Sequence, residues 1–212
     1  MTPMKMPVFQ PHLERGQSER PQPWQAARPS ATVPSSRGQP QRGSDDAGWE
    51  EVLRVAVLFV CLGNICRSAA AEGVLRALAA AESLADRIEV ASAATHDYQI
   101  GRPPDPRAQA IARARGIDIS AQRARQADAD DFRRFNYVLA MDRATLADLR
   151  RICPPDAQNR LHRFLDFAPA LGVRDVPDPY HGDERDFVVM MDLIEAGARG
   201  LLAHLHRNEL AS

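Results

Sequence analysis

The sequence predicts an α/β fold of three layers, in which a four-stranded parallel sheet is covered by helices on both faces. Apolar, β-branched segments alternate along the chain with segments whose apolar residues recur at helical spacing, a pattern typical of parallel sheets. The first strand is aliphatic almost throughout, as a strand buried on both faces should be. In such a fold the binding site lies at the carboxyl ends of the strands.

The first half of the pattern contains two strands and two helices. Segment 52–60 (VLRVAVLFV) is predicted as the first strand, and after a loop the Ala-rich segment 68–81 is predicted as a helix. Segment 87–94 is the second strand. A second helix is predicted over 105–115, because the proline near its start suits the first helical position and Gly116 favours a helix end.

The second half contains the two remaining strands. YVLAM at 137–141 is predicted as the third strand, and Asp142 is predicted to cap a helix that ends near residue 152. The fourth strand is expected within 160–167. The last helix is predicted over 186–206, and the acidic residues that precede it favour the positive end of its dipole.

Residues 1–50 differ from the rest of the chain in composition. Eight of the 16 prolines fall in this segment: Pro3, Pro7, Pro11, Pro21, Pro23, Pro29, Pro34 and Pro40. No apolar periodicity is present, so the segment cannot bury enough surface to offset its ordering entropy. We therefore predict a disordered Pro-rich N-terminal extension over 1–50 and one folded domain over 51–212. Proline-directed docking is the alternative role for the extension.

Charge and cysteine content exclude several classes of protein. Lys plus Arg total 27 and Asp plus Glu total 28, a balance that gives no indication of nucleic-acid or membrane-surface binding. No apolar run reaches the roughly 20 residues of a membrane helix. Three cysteines are too few for a disulfide scaffold, and without a paired Cys-x-x-Cys or His cluster they do not predict a metal site. We expect a cytoplasmic protein without membrane insertion, nucleic-acid partner, metal or cofactor.

The loop after the first strand carries the clearest chemical signal. It reads CLGNICRS from Cys61 to Ser68 and runs directly into the first predicted helix. Successive backbone N–H groups in a tight loop bind an anion, and the helix N-terminus adds positive potential. The same groups and Arg67 would stabilise a Cys61 thiolate, and the planar Arg67 fork can hold two phosphoryl oxygens. The expected phosphate-binding residues are Leu62, Gly63, Asn64, Ile65, Cys66 and Ser68.

Cleavage of an aryl phosphate also requires an acid for the leaving phenolate, whose conjugate acid has a pKa of about 10. Asp178 is the first candidate, because the prolines on both sides of it restrict the loop backbone. Asp142 is the second candidate, although helix capping accounts for it as well.

The order of these motifs resembles the low-molecular-weight protein tyrosine phosphatase family. VLFVCLGNICRS is similar to the signature of that family, and the late DPY at 178–180 is similar to its general-acid loop. ASAATHDYQIGRPPDPRA, GIDIS, RARQ and YVLAMD fall between them in the family's order. The resemblance extends from Val52 to the C-terminal helix, and the fold expected with it has the strand order 2-1-3-4.

The resemblance implies a cysteine-dependent mechanism. Cys61 would be the nucleophile that forms a phosphocysteine, and Arg67 would bind the transferring phosphoryl group. Asp178 would protonate the leaving group and then activate the water that hydrolyses the intermediate. Phosphotyrosine-containing proteins would be the substrates, with a bacterial tyrosine kinase as one candidate, and the enzyme would be a monomer or weak dimer.

The resemblance also implies supporting roles around these residues. Asn64 and Ser68 would hold the loop and stabilise the thiolate, while Tyr98 and Tyr180 would form the rim that contacts the substrate ring. Cys66 would form a reversible disulfide with the nucleophile, which would protect Cys61 from irreversible oxidation.

Three positions depart from the family pattern. Ala69 replaces the proline usual after the Arg-Ser pair, His181 replaces a second tyrosine after DPY, and Gln122 replaces a histidine common before RARQ. The absence of the proline at Ala69 should only weaken the start of the helix. The second puts regulation by phosphorylation at that position in doubt, and the third predicts a changed hydrogen-bond network behind the loop.

Three other functions are weaker interpretations of the same loop. An arsenate reductase needs a downstream cysteine pair, and Cys153 stands alone. A protein arginine phosphatase resembles this sequence but has Thr where Ile65 stands, and the larger apolar side chain favours phosphotyrosine. A non-catalytic phosphotyrosine-binding module would be expected to have lost Cys61 or Asp178, and both are present.

Overall fold

A four-stranded parallel sheet forms the middle layer of the molecule. The computed structural model describes residues 54–210. The strands are β1 (Val55–Cys61), β2 (Ile88–Ala94), β3 (Tyr137–Ala140) and β4 (Leu161–Arg163). Their order is β2-β1-β3-β4 and every neighbouring pair is parallel. The predicted fold and strand order are confirmed.

Helices cover both faces of this sheet, as predicted. They are α1 (Arg67–Ala81), α2 (Pro106–Ala114), α3 (Asp131–Arg134), α4 (Arg143–Ile152) and α5 (Glu184–Asn208). Helices α1, α2 and α5 pack together on one face, and α3 and α4 lie on the other. The cap of α4 is also as predicted, because the Asp142 side chain accepts a hydrogen bond from the Thr145 N–H at 2.7 Å.

The composition of β1 follows from its place in the centre of the sheet. Successive side chains of a strand point to opposite faces, so Val57 and Phe59 enter the core beneath α1 and α5 while Leu58 and Val60 enter the core beneath α3 and α4. All four are fully buried. Burial of each such side chain contributes about 1.5–3 kcal/mol, which explains why neither face of this strand is polar.

Two parts of the fold differ from the expected elements. The fourth strand has only three half-buried residues, and short 3-10 helices lie directly before and after it, at Pro155–Arg160 and Phe164–Phe167. Its sequence, LHR, lacks the apolar run that marks a buried strand, because β4 is at the sheet edge. Helix α3 was not predicted, since four residues are too few to establish a helical period.

Some predictions fall outside the described residues. The disordered extension at 1–50 and the first two residues of the predicted first strand belong to this group. The division into 1–50 and 51–212 therefore stays a prediction. Within 54–210, no helix combines the length and apolar character needed to cross a membrane.

Candidate active site

The candidate site is a cleft of about 170 Å³ at the carboxyl edge of the sheet. Its wall comes from the segment between β1 and α1 and from two loops that approach it. The lining residues are Cys61, Leu62, Gly63, Ile65, Cys66, Arg67, Tyr98, Gln99, Asp178, Tyr180 and His181. All sequence-predicted site residues lie here except three: Asn64 and Ser68, which are buried, and Asp142, the second acid candidate.

Cys61 is the last residue of β1, and only 2% of its surface is exposed. Its Sγ accepts a hydrogen bond from the Asn64 N–H at 3.3 Å and lies 3.1 Å from the Ser68 Oγ. The Cys61 sulfur therefore lies at the floor of an open cleft, with two polar neighbours.

Asn64 fixes the shape of the phosphate loop, which we define as residues 61–67. Its φ of 57° lies in the left-handed region, which asparagine tolerates better than most residues. Its side-chain amide donates to the Ser68 Oγ at 2.9 Å and to the Ser92 Oγ at 2.8 Å, while its Oδ1 accepts from the Arg125 N–H at 3.0 Å. Each polar atom of this buried side chain therefore has a partner.

The backbone of the phosphate loop can bind an anion. Within residues 54–210, no protein acceptor pairs with the N–H groups of Leu62, Gly63, Ile65 or Cys66. Helix α1 starts directly after them, so its N-terminal dipole adds positive potential. Consecutive unpaired N–H groups beside a helix start form the type of site that holds a phosphate.

Arg67 lies beside this loop and is 3% exposed. Its Nη1 pairs with Asp142 and donates to the Val176 carbonyl at 3.3 Å, and its Nη2 donates to Asp178 Oδ2 at 2.6 Å. Burial opposes its charge, yet the negative charges of Cys61, Asp178 and Asp142 outweigh burial and raise its pKa. The buried Nε–H has no acceptor in the described part of the chain, so it can donate a hydrogen bond to one oxygen of a bound anion.

Asp142, the second acid candidate of the sequence, has a different environment from Asp178. It caps α4 and pairs with Arg67. Burial opposes its ionisation, but the hydrogen bond from Thr145 and the charge of Arg67 outweigh burial and lower its pKa. A carboxyl group with a lowered pKa is ionised at neutral pH and is poorly suited to donate a proton. Asp142 instead orients the Arg67 guanidinium.

Asp178 lies at the mouth of the cleft, and its side chain is 40% exposed. Its Oδ1 accepts a hydrogen bond from the Tyr180 N–H at 3.2 Å, which fixes the turn that follows it. Tyr180 and Tyr98 are also exposed and flank the opening. The ring of His96 stacks on Tyr98 with 5.1 Å between the centroids.

The other cysteines differ from Cys61. Cys66 lines the same cleft, and its pKa is raised by burial first and then by the negative charges of Asp105, Cys61 and Asp178. Cys153 is buried at the end of α4, with its Sγ 3.5 Å from the Pro154 carbonyl oxygen. All three cysteines are free thiols in the structure.

Residues 56–211 match the family model for low molecular weight phosphotyrosine protein phosphatase. The chain belongs to this family. It is an enzyme, a protein-tyrosine phosphatase of the hydrolase class, as the sequence predicted.

The similarity to individual family members extends over nearly their whole length. The low molecular weight protein-tyrosine-phosphatase YfkJ of Bacillus subtilis is 37% identical over 155 residues, which cover 73% of this chain and 98% of the relative. The Homo sapiens low molecular weight phosphotyrosine protein phosphatase is 38% identical over 157 residues, covering 71% and 96%.

Solved structures of family members have the same fold. The crystal structure of YfkJ has a TM-score of 0.70 at 36% identity and covers 80% of this chain and 99% of that one. Vibrio vulnificus Wzb in complex with benzylphosphonate has a TM-score of 0.64 at 28% identity and covers 72% and 99%.

The phosphatase also contains site residues that the sequence did not reveal. The Ser92 Oγ, which accepts from Asn64, donates to Glu72 Oε2 at 2.6 Å, and Glu72 pairs with Arg76 at 3.0 Å. This buried network continues from Asn64 away from the cleft. The sequence contains one signal for this network: a serine and a glutamate lie in segments that are otherwise apolar. Buried polar side chains are usually hydrogen-bonded, so both residues would be expected to have partners.

The departures from the family pattern have mild structural effects. Helix α1 begins at Arg67, so Ala69 does not delay the helix start. The buried Oε1 of Gln122 has no partner within residues 54–210, and no hydrogen bond joins Gln122 to the Asn64 network. The network behind the phosphate loop is therefore completed by Ser92 and Glu72 without Gln122.

Proposed function

We propose that this phosphatase hydrolyses phosphotyrosine in proteins through a phosphocysteine intermediate on Cys61. One observation carries the proposal: the Cys61 thiol, the Arg67 guanidinium and the Asp178 carboxyl all line a single cleft. Nucleophile, anion-binding cation and acid are the groups that this chemistry requires.

In the first step the Cys61 thiolate attacks phosphorus, and the bond between phosphorus and the phenolic oxygen breaks. The unpaired N–H groups of the phosphate loop and the Arg67 guanidinium stabilise the charge on the equatorial oxygens. Protonated Asp178 gives its proton to the departing phenolate. The products are tyrosine and a phosphoryl group on Cys61.

In the second step the Asp178 carboxylate takes a proton from water, and this water attacks the phosphocysteine. The bond between sulfur and phosphorus breaks, which releases inorganic phosphate and regenerates the thiolate. Asp178 is paired with Arg67 at 2.6 Å in the structure, so a bound phosphoryl group has to replace it at the guanidinium. This exchange moves the carboxyl away from Arg67 and leaves it available for the phenolic oxygen.

The cleft opening favours an aryl phosphate. Tyr98 and Tyr180 offer exposed rings on opposite loops, and Ile65 contributes an apolar side chain to the wall between them. A flat phenyl ring can pack against such surfaces. Phosphotyrosine-containing proteins, with a bacterial tyrosine kinase as one candidate, are therefore the proposed substrates, and a phosphoguanidinium group fits this apolar wall less well.

We also propose that Cys66 protects the nucleophile from peroxide. Peroxide would oxidise the Cys61 thiolate to a sulfenic acid, and the Cys66 thiol would then displace water to form a disulfide. Both cysteines are free and line the same cleft. Peptide mapping of peroxide-treated protein should find an intramolecular Cys61–Cys66 disulfide, and the proposal fails if oxidised Cys61 carries only sulfinic or sulfonic acid.

The mechanism can be tested by rapid-mixing hydrolysis of p-nitrophenyl phosphate. Wild type should release p-nitrophenol and phosphate, and Cys61→Ser should be inactive. Asp178→Ala should lose activity on this substrate and should lose more on phenyl phosphate, whose leaving group is more basic. Phosphotyrosine and phosphoarginine peptides of one sequence should then be compared, with the tyrosine peptide as the preferred substrate. Full activity of Cys61→Ser would overturn the mechanism, whereas preference for the arginine peptide would overturn only the substrate.

A further inference from the structure

The start of α2 lies between the two loops that carry the proposed catalytic residues. The Asp105 N–H donates to the Ile65 carbonyl of the phosphate loop at 2.7 Å. The Asp105 carboxylate caps the helix by accepting a hydrogen bond from the Arg107 N–H at 2.8 Å. The helix start is therefore joined to the phosphate loop by a backbone hydrogen bond, while the Asp105 side chain caps the first turn of the helix.

Asp105 also holds the Arg107 side chain in one orientation. The guanidinium donates to the two carboxylate oxygens at 3.0 and 2.9 Å, which is the bidentate geometry that only arginine offers. Asp105 is almost fully buried. Burial opposes its ionisation, but the hydrogen bonds from Arg107 outweigh burial and lower its pKa, so the pair stays charged at neutral pH.

From this position Arg107 reaches the acid loop, which we define as residues 176–183. Its Nη2 donates to the Tyr180 carbonyl at 2.9 Å, and its Nη1 donates to the Gly182 carbonyl at 3.2 Å. The guanidinium carbon also lies 4.5 Å from the centroid of the Phe187 ring at the start of α5. Arg107 therefore contacts the backbone on the C-terminal side of Asp178 and the helix into which the acid loop leads.

Few other contacts hold the acid loop. Its first residue, Val176, donates its N–H to the Met141 carbonyl at 2.8 Å, and its last residue, Asp183, caps α5. Within residues 54–210, Arg67 and Arg107 are the only side chains from outside the loop that donate hydrogen bonds to it. A phosphoryl group that takes over Arg67 removes the bond to Asp178, whereas the bonds from Arg107 are unaffected.

We propose that Arg107, oriented by Asp105, is a positioning residue that sets the place of Asp178 relative to the phosphate loop. This inference rests on the proposed function, because it assigns Arg107 an effect only through the proton transfer by Asp178. Arg107 makes no hydrogen bond to Cys61 or Arg67 within the described residues and does not line the cleft. Its side-chain hydrogen bonds beyond Asp105 go to the acid loop, so we expect it to act on catalysis through that loop.

The role predicts an effect that depends on the leaving group. Proton transfer matters most for a basic phenolate and least for an acidic one. Loss of Arg107 should therefore slow hydrolysis of phenyl phosphate strongly and hydrolysis of p-nitrophenyl phosphate weakly. A general disturbance of the phosphate loop would instead slow both substrates by the same factor. The ratio of the two rates does not depend on how much of the enzyme is folded.

The experiment measures kcat/KM for both substrates in wild type, Arg107→Gln, Arg107→Lys and Asp178→Ala. Arg113→Gln is the matched control, since Arg113 is exposed on the same helix and its side chain makes no hydrogen bond or ion pair within the described residues. For Arg107→Gln we expect a loss of about 10- to 100-fold on phenyl phosphate, as for a misplaced catalytic group. Arg107→Lys should recover part of this loss, and Arg113→Gln should equal wild type.

A double variant separates a role through Asp178 from an independent one. If Arg107 acts through the acid, Arg107→Gln should cause no further loss in an Asp178→Ala background, so the two losses are not additive. Inhibition by inorganic phosphate, which reports on the phosphate loop, should be unchanged in Arg107→Gln.

The outcomes distinguish this inference from the proposed function. Equal losses of Arg107→Gln on both substrates, or a further loss in the double variant, would overturn the positioning role and leave the function standing. A loss for Asp178→Ala that does not depend on the leaving group would overturn the acid assignment itself, and the role of Arg107 with it.

Discussion

The phosphate loop and the acid loop face each other across one cleft but are built on opposite principles. Cys61 and Arg67 are 2% and 3% exposed. A buried hydrogen-bond network through Asn64 and Ser68 holds Cys61, and Asp142 and the Val176 carbonyl hold Arg67. Asp178 is 40% exposed, and the acid loop that carries it is held at its two ends and by Arg67 and Arg107. The phosphate loop must be rigid before substrate arrives, because its N–H groups stabilise charge only if they are already oriented. The acid has to exchange partners during the reaction, which requires a loop that can adjust.

The largest expected effect comes from the cation of the phosphate loop. Arg67→Lys keeps the charge but loses the planar fork and the Nε–H, so it cannot bind Asp142 and two phosphoryl oxygens together. We expect kcat/KM to fall by about 10³-fold for phenyl and p-nitrophenyl phosphate alike. Steady-state kinetics on both substrates measures this. A loss confined to phenyl phosphate would indicate that Arg67 acts in proton transfer together with the acid loop. It would contradict the difference between the two loops described above.

The next effect tests the rigidity of the phosphate loop. Asn64→Ala removes the bonds to Ser68 and Ser92 and places alanine at a φ of 57°. We expect a loss of about 1–3 kcal/mol in the free energy of unfolding and an activity loss of about 10- to 100-fold on both substrates. Urea unfolding and kinetics measure the two effects. Asn159→Ala, at an exposed position, is the control and should match wild type.

A smaller effect is expected from the carboxylate that orients Arg67. Asp142→Asn should keep the helix cap, since asparagine caps as well as aspartate, but it loses the ion pair. We expect an activity decrease of about tenfold on both substrates. A decrease on phenyl phosphate alone would indicate instead that Asp142 takes part in proton transfer.

The same variant has a defined pH dependence. The pKa of Asp142 is lowered in the folded protein, so its stabilising contribution is complete above the ordinary carboxyl pKa of about 4 and is lost as pH falls through the lower folded value. Urea unfolding of wild type and Asp142→Asn should therefore differ by a constant amount from neutral pH to about pH 5 and converge at lower pH. A difference that already shrinks between neutral pH and pH 5 would contradict the lowered pKa.

The smallest expected effect concerns Cys66, a thiol in the phosphate loop that the reaction does not use. Its raised pKa keeps it protonated near neutral pH, and a protonated thiol reacts slowly with a reagent in solution. A sulfenic acid on Cys61 in the same cleft is a far more reactive partner for it. Iodoacetamide should therefore alkylate Cys61 and spare Cys66, as peptide mass mapping would detect, and Cys66→Ser should keep wild-type activity. Alkylation of Cys66 at the same rate as Cys61 would contradict the raised pKa of Cys66.

The sequence predicted the phosphate loop better than the acid loop for a physical reason. The phosphate loop is contiguous from Cys61 to Arg67, so one short motif between an apolar strand and a helix contains the proposed nucleophile, the proposed phosphate-binding cation and the backbone N–H groups beside them. Asp178 could be proposed from its flanking prolines and the family resemblance. Its partner Arg67, and Arg107, which bonds the backbone of the acid loop, are distant in sequence, and no local pattern indicates which arginine will reach this loop.

Long buried elements of the fold were also easier to predict from the sequence than short ones. Buried elements such as β1 and α5 have long apolar patterns, and the sheet order was expected correctly. The three-residue β4 and the short α3 depend on packing against neighbours more than on local periodicity. Ser92 and Glu72 were missed because their role arises only when β2 and α1 are adjacent.

The most direct test of the central claim is to trap the intermediate. Wild type, Asp178→Ala and Cys61→Ser would be mixed with p-nitrophenyl phosphate, denatured rapidly during turnover and digested for peptide mass mapping. We predict one added phosphoryl group on the Cys61 peptide of wild type or Asp178→Ala, and none in Cys61→Ser. A phosphoryl group on any other residue, or turnover by Cys61→Ser at the wild-type rate, would contradict the phosphocysteine mechanism.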